Sequence, residues 1–278
     1  MKRTPVSTRR RIAVATWRPS RDGRIYARSL LDATAALAYL DETRRRSAVD
    51  VTITHLVGAA LGRALRAVPE VRARVVFGRI VPFPTCDVGF AVDIGDGTDL
   101  APHKVERADE KTTVEIAREL SAGVARLRSG RDRHHRRSSS LVRVMPTFLL
   151  RPTMAAAGLI VGGLGRPAFG QPGSPLGAAF VSNVGSLGLD EAFLAPLPFA
   201  RTPLYAAIGA IRDGPAVVDG ELAVRPLLPL VVTGDHRLID GVHAGRIATV
   251  LRELLADPHR LDRPAAGGEE PTLDADPS

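Results

Sequence analysis

Segments with helical periodicity and segments of strand character alternate irregularly along this chain, and no other feature restricts its fold as much. Residues 54–68 place apolar side chains on one face at helical spacing. Residues 86–94 are rich in β-branched side chains and are followed by a Gly-Asp-Gly turn signal at 95–97. The alternation predicts an α/β or α+β domain with a sizeable mixed sheet.

The same two patterns place the other elements of the predicted domain. Helical spacing predicts helices at residues 31–43, 113–127 and 242–255. Apolar and β-branched runs predict strands at residues 74–82, 178–183, 204–211 and 222–233. Aromatic residues make up only 4% of the chain, so small aliphatic side chains must fill the core.

Residues 129–177 differ in composition from the chain on either side, and we interpret them as a partly helical insertion. A basic stretch comes first, and a Pro/Gly-rich tract closes the segment. Between them, the apolar residues 141–165 are interrupted by Pro146 and Pro152. Because proline lacks the amide donor and clashes with the preceding turn, we expect two short helices joined near Pro152.

The end of the chain has a different composition again. Its residues are small, polar and acidic, and such a segment buries too little apolar surface to fold. We therefore expect a single domain over residues 1–264, interrupted by the insertion, and a disordered tail over residues 265–278.

The net charge of +8 favours polyanions, from nucleic acid to the phosphates of a nucleotide cofactor. No zinc-finger spacing, RNP tract or basic heptad pattern occurs, so we expect no nucleic-acid partner. Arginines cluster at residues 126–137, and we interpret this cluster as a solvated loop, with a phosphate site as the alternative.

Cysteine and histidine usage restricts the chemistry further. The single cysteine, Cys86, excludes an intrachain disulfide and a cysteine zinc cluster, and we interpret it as a core residue. His134 and His135 have no third ligand nearby in sequence, so we expect no metal. The longest apolar window, residues 152–165, is too short to span a membrane, and we expect a soluble cytoplasmic protein.

Residues 227–245 contain the most informative tract of the sequence. An apolar run leads directly into Gly-Asp-His-Arg-Leu-Ile-Asp-Gly, which places His236 where a strand fixes it and a turn exposes it. An imidazole titrates near ~6.5 and a thiol near ~8.5, a gap that a positioned base can bridge in a transition state. The alternative is a hydrogen-bonded turn with His236 and Asp240 as an ordinary i,i+4 pair.

This tract resembles the DHRxxDG active-site signature of the acyltransferase component of 2-oxo acid dehydrogenase complexes, whose fold and HxxxD core chloramphenicol acetyltransferases share. Other segments also resemble that family, at residues 9–13, 64–71, 86–93 and 180–188. The resemblance covers residues 9–261 apart from the insertion. It implies a chloramphenicol acetyltransferase-like fold, a mixed sheet flanked by helices, with an inserted helical segment.

The resemblance also implies a role for each matching residue. His236 takes the proton from the thiol of CoA or of a dihydrolipoyl group, and later returns it to the departing thiolate. Ser182 donates a hydrogen bond to the oxyanion, although its hydroxyl alone can also be read as bonding its own backbone. Asp240 matches a structural aspartate that pairs with an arginine, for which Arg9 or Arg10 is the expected partner.

A CoA-dependent acyltransferase is the function that follows, with acyl-CoA as substrate. A homotrimer is expected, because active sites of this family lie between subunits. The resemblance begins near residue 9, so we expect any lipoyl carrier to come in trans. Acyl transfer to a small-molecule hydroxyl and a non-catalytic scaffold remain as alternatives, although His236 and Asp240 argue against the scaffold. The insertion either packs as core or lines the acyl site.

Overall fold

The structure is a computed structural model that describes residues 23–93, 100–128, 146–168 and 171–263. Its strands are β1 (Arg24–Asp32), β2 (Ala73–Val76), β3 (Arg79–Pro82), β4 (Val88–Asp93), β5 (Leu100–Val105), β6 (Ala179–Asn183), β7 (Leu204–Ile208), β8 (Arg212–Val218) and β9 (Glu221–Asp235). Its α-helices are α1 (Thr34–Ser47), α2 (Ile53–Ala67), α3 (Thr113–Arg128), α4 (Thr147–Ala157) and α5 (Gly241–Ala256). A π-helical segment, Gly158–Gly163, continues α4.

The main sheet is mixed, as the sequence predicts. Six strands follow the order β1-β9-β7-β6-β4-β5, and β8 pairs with β9 outside this path. The three strands β4, β6 and β7 run parallel, whereas β9 is antiparallel to both β1 and β7. Strands β2 and β3 form a separate hairpin.

Strand β9 is the longest, and its two halves have different neighbours. The first half pairs with β8, and the second half lies between β1 and β7. Leu228, Leu230 and Val231 in the second half are buried. A strand with partners on both sides and a buried apolar sequence is held firmly, so the residue that follows it has a fixed position.

Helix α2 packs across the sheet and forms the centre of the core. Leu56, Leu61 and Leu65 on this helix are fully buried. Its approach to β4 depends on Gly58, where a Cβ atom would lie 2.2 Å from the ring of Phe90. The helix predicted at residues 54–68 is therefore a core helix, and the predictions for α1, α3 and α5 are also confirmed within a few residues.

Three strands have no counterpart among the predictions, and each has a physical reason. β5 contains Pro102 and β8 contains Pro215, and proline in a strand is typical of sheet edges. β1 is mostly half-buried or exposed and carries Arg24 and Arg28, so it lacks a clear apolar face. The single strand predicted at residues 74–82 is wrong, because a turn at 77–78 divides it into a hairpin.

The insertion also differs from its prediction. A single helix, α4, passes through Pro152 and continues into the π-helical segment, whereas two helices joined at Pro152 were expected. Pro152 lies in the second turn, where the missing amide costs the helix one hydrogen bond. Arg9, Arg10, residues 129–145 and residues 265–278 lie outside the described residues. Across the described ranges, no helix combines the length and the apolar character that crossing a membrane requires.

Candidate active site

His236 follows the last residue of β9, and both its backbone and its ring are held. The backbone amide donates to the carbonyl of Gly23 over 3.1 Å. The ring Nδ1 lies 2.8 Å from the carbonyl oxygen of Ile239. Because a carbonyl can only accept, Nδ1 must carry the proton, which leaves the lone pair of a neutral ring on Nε2. His236 is exposed, so a substrate can reach it.

The turn around His236 is fixed by its two charged neighbours. The carboxylate of Asp235 accepts from the backbone amide of Arg237 over 3.1 Å and from its guanidinium over 2.6 Å. The backbone amide of Asp235 donates to the carbonyl of Pro203, which leads into β7. The imidazole therefore projects from a turn that is tied to the sheet on both sides.

Asp240 caps the helix that follows. Its carboxylate accepts from the backbone amide of His243 over 3.0 Å, and His243 Nδ1 lies 2.8 Å from the same oxygen. The hydrogen bond from the His243 amide lowers the pKa of Asp240. The described contacts thus pair Asp240 with His243 rather than with His236. The predicted ion pair with Arg9 or Arg10 stays a prediction, since both arginines lie outside the described residues.

Ser182 is the fourth residue of β6 and is half-buried. Its hydroxyl forms no hydrogen bond with any residue that the structure describes, so the alternative of a hydroxyl bonded to its own backbone is not seen there. The next residue, Asn183, holds the strand end through Nδ2, which donates to Thr54 Oγ1 over 3.0 Å. The Ser182 hydroxyl is therefore free to donate to a substrate.

His236 and Ser182 lie at opposite ends of the sheet. The ladder aligns Ser182 with Ala207 and Ala207 with Val231, which is five residues before His236. At ~3.3 Å per residue along β9 and ~4.8 Å between strands, the two residues are about 19 Å apart in one chain. The structure does not bring the two predicted site residues together within a single chain.

A narrow apolar cleft lies between the sheet and α5, and Ile239 from the turn after His236 lines it. Its cavity volume is about 30 Å³. It is lined mainly by Ile25, Ala27, Leu230, Val232, Ile239 and Ile247. Gly234 keeps its upper end open, since a Cβ there would lie 3.2 Å from Ile239 Cδ1 and from Ile25 Cγ1. Periodicity did not predict the cleft, because its walls come from four separate elements.

The buried thiol of Cys86 does not fit a nucleophile. Burial raises its pKa to about 11, so the thiolate is scarce at neutral pH. The guanidinium of Arg72 donates to the sulfur over 3.3 Å. Among the residues described, no three His, Cys, Asp or Glu side chains are placed to hold a metal ion.

Residues 2–139 and 176–262 match the model of the 2-oxoacid dehydrogenases acyltransferase family, catalytic domain. The chain belongs to this family. One member, the dihydrolipoyllysine-residue acetyltransferase component of the pyruvate dehydrogenase complex of Mycoplasma capricolum, is 27% identical over 216 residues, which are 76% of this chain and 40% of that protein. The acetyltransferase component of the acetoin cleaving system of Bacillus subtilis is 26% identical, over 78% of this chain and 44% of that protein. The chain spans less than half the length of these relatives.

Solved structures of the family share the fold. The dihydrolipoamide acetyltransferase of Azotobacter vinelandii superposes with a TM-score of 0.68 at 20% identity, over 94% of this chain and 93% of that one. The probable dihydrolipoamide acetyltransferase of Listeria monocytogenes gives 0.65 at 16% identity, over 97% and 98%. The predicted fold class, a mixed sheet flanked by helices as in these acyltransferase cores, is confirmed.

Proposed function

We propose that this protein transfers an acyl group between CoA and a thiol carrier such as a dihydrolipoyl group, with His236 as general base. One observation carries the proposal: the bond from Nδ1 to the Ile239 carbonyl leaves the lone pair on Nε2 of an exposed residue. A fixed base with this tautomer is what deprotonation of a thiol requires. Membership of the acyltransferase family supports the same chemistry.

The reaction needs only the residues already described. Nε2 of His236 takes the thiol proton, and the thiolate attacks the carbonyl carbon of the thioester. The negative charge develops on the carbonyl oxygen, where the Ser182 hydroxyl donates a hydrogen bond. The carbon–sulfur bond to the departing thiolate then breaks, and His236 returns the proton to that sulfur. CoA is a substrate here, and the dihydrolipoyl group is the thiol carrier.

The distance between the two residues argues for an assembly. About 19 Å separates Ser182 from His236 in one chain by strand geometry, which is too far for both to contact one thioester carbon. We therefore propose a homotrimer in which His236 of one subunit faces Ser182 of the next, with closed rotational symmetry. Under this proposal residues 1–264 form the catalytic domain and act in the cytoplasm.

A thiol-release assay tests the proposal. Acetyl-CoA, isobutyryl-CoA and succinyl-CoA are each incubated with dihydrolipoamide or with chloramphenicol as a hydroxyl acceptor. We expect CoA release that depends on dihydrolipoamide. Release that depends only on the hydroxyl acceptor would contradict the thiol carrier, and no release with any pair would favour a non-catalytic scaffold.

A further inference from the structure

Arg74 on β2 is a buried cation whose bonding is incomplete. Only 8% of the residue is exposed. Its Nη1 donates to Ser174 Oγ over 2.7 Å, and its Cζ lies 4.8 Å from the centre of the Phe83 ring. Its Nε is buried with no hydrogen-bond partner among the described residues. A buried guanidinium with an unused donor is costly unless a ligand or counter-ion completes it.

A second arginine, Arg201, lies beside it. Its Nη1 donates to the carbonyl of Val75 over 2.6 Å. A Cβ at Gly163 would lie 3.5 Å from Nε of Arg201, and a Cβ at Gly165 would lie 2.9 Å from Nη2 of Arg74. Both guanidinium groups therefore converge at the end of the π-helical segment of the insertion.

The two charges lack a compensating acid. Neither arginine forms a salt bridge with a carboxylate of the described residues. Burial lowers the pKa of Arg74, and the charge of Arg201 lowers it further. Carbonyl groups at the end of the helical segment offer only a partial negative charge, about half a unit for a whole helix, against two full positive charges. An anion is the missing partner.

The position of this pair relates it to His236. Arg201 is two residues before Pro203, whose carbonyl accepts from the backbone amide of Asp235 over 2.9 Å. Burial lowers the pKa of Arg201, and the nearby positive charge of Arg237 lowers it further. The arginine pair thus lies at the end of the sheet that carries the proposed base.

We propose that Arg74 and Arg201, with the hydroxyl of Ser174, bind an oxyanion of the acyl-CoA substrate. This inference rests on the proposed function. Two parts of such a substrate carry the required chemistry: the free carboxylate of a dicarboxylic acyl group and the phosphates of CoA. Guanidinium groups bind both with charge-assisted hydrogen bonds.

Binding is tested first without any turnover. The melting temperature of the full chain is measured with inorganic phosphate and with succinate at constant ionic strength. We expect either anion to raise it by about 3 °C, and Arg201→Gln to remove the shift. Arg260→Gln, which changes an exposed arginine that follows α5 and pairs with Glu253, should keep the shift. An unchanged shift in Arg201→Gln, or no shift in the wild type, overturns the site.

Kinetics then separate the two sources. Acetyl-CoA, succinyl-CoA and the matching acyl-pantetheines, which lack phosphates, are compared in the wild type and Arg201→Gln. If the site binds a carboxylate, Arg201→Gln should raise KM about 10-fold for succinyl-CoA and succinyl-pantetheine and for neither acetyl thioester. If it binds phosphate, KM should rise for acetyl-CoA and succinyl-CoA and for neither pantetheine thioester. Unchanged KM for all four refutes the inference. If the protein transfers no acyl group, the proposed function fails, and the melting shift still decides whether the anion site exists. Arg74→Gln is a second variant for the same measurements.

Discussion

At one end of the central sheet, the side chain of His236 is held by a backbone carbonyl, whereas at the other end the hydroxyl of Ser182 has no partner among the described residues. The turn that carries His236 is also tied down by the ion pair of Asp235 and Arg237. At the end that carries Ser182, the side chain of Asn183 donates to Thr54 and accepts from the backbone amide of Ser186. Neither of these hydrogen bonds involves the Ser182 hydroxyl.

The difference matches the chemistry that each end is proposed to perform. A general base must have the correct tautomer before substrate arrives, so a local carbonyl has to orient its ring. An oxyanion donor must keep its proton free for the substrate, so a partner within the chain would compete with the reaction. In the proposed mechanism, the partner that orients His236 lies in its own chain, whereas the partner of the Ser182 hydroxyl would be the substrate.

Removing the base should have the largest effect. We expect His236→Ala to lower acyl transfer by about 100-fold or more while the fold is kept, because the thiol then has no acceptor for its proton. Steady-state rates with acetyl-CoA and dihydrolipoamide measure the loss, and circular dichroism checks the fold.

His259→Ala is the matched control for this substitution. His259 is exposed and lies after α5, so the same change there should leave the rate within about twofold. Near-full activity in a folded His236→Ala protein would remove His236 from the mechanism.

Removing the oxyanion donor should have the next largest effect. We expect Ser182→Ala to lower kcat by about 10- to 1000-fold, because the oxyanion loses one preorganised hydrogen bond. Ser186→Ala is the control, since its hydroxyl bonds the carbonyl of Asn183 in the same loop. A rate for Ser182→Ala that equals the control would return Ser182 to a structural role.

The base end could be predicted from sequence because all its parts are local. The apolar run of β9 and the turn follow one another within residues 227–245, so the sequence predicts where His236 lies. Its role as a base was predicted from the resemblance of the tract to the family signature. The serine end is harder to predict. Strand β6 is recognisable, but its distance from His236 depends on the parallel pairing of β6 with β7, which no local pattern encodes.

The insertion shows another limit of prediction. Pro152 was expected to divide the helix, yet α4 continues through it despite the hydrogen bond that the missing amide costs. The arginine pair was not predicted either, since Arg74 and Arg201 are 127 positions apart and meet only through the hairpin and the π-helical segment. Contacts between distant segments have no periodic signature.

Mixing the two inactive variants tests whether the two ends act on one substrate. If His236→Ala and Ser182→Ala subunits exchange freely in a trimer, about a quarter of the interfaces combine an intact histidine with an intact serine. Activity of the mixture should then recover to about a quarter of the wild-type value after reassembly from denaturant. A mixture no more active than the two separate variants would show that His236 and Ser182 do not act on one substrate, which contradicts the shared site.

The end of the sheet near Ser182 also predicts an effect of pH on stability. Helix α2 begins there with Thr52 as its cap, and the backbone amide of Thr52 donates to Nδ1 of His55 over 2.9 Å. Burial lowers the pKa of His55 from 6.5 to about 4. The folded chain therefore binds fewer protons than the unfolded chain between these two values.

This proton difference makes acid destabilise the fold. The contribution of neutral His55 to the free energy of unfolding is complete above pH 6.5. It falls as the pH drops below that value and is lost by about pH 4. The loss amounts to up to about 3 kcal/mol of unfolding free energy. His55→Gln offers the same acceptor to Thr52 without titrating, as in a capping box.

Urea unfolding at pH 8, 6 and 5, at one protein concentration, measures the difference in unfolding free energy between the wild type and His55→Gln. At pH 8 the wild type and His55→Gln should agree within about 1 kcal/mol, since both cap α2. At pH 5 the wild type should have lost about 2 kcal/mol more than the variant. The carboxylates and the other histidines titrate in both proteins, so their effects on the unfolding free energy cancel in this comparison. Parallel pH curves for the two proteins would show that His55 is not kept neutral by burial, and the serine end would then have no acid-sensitive cap.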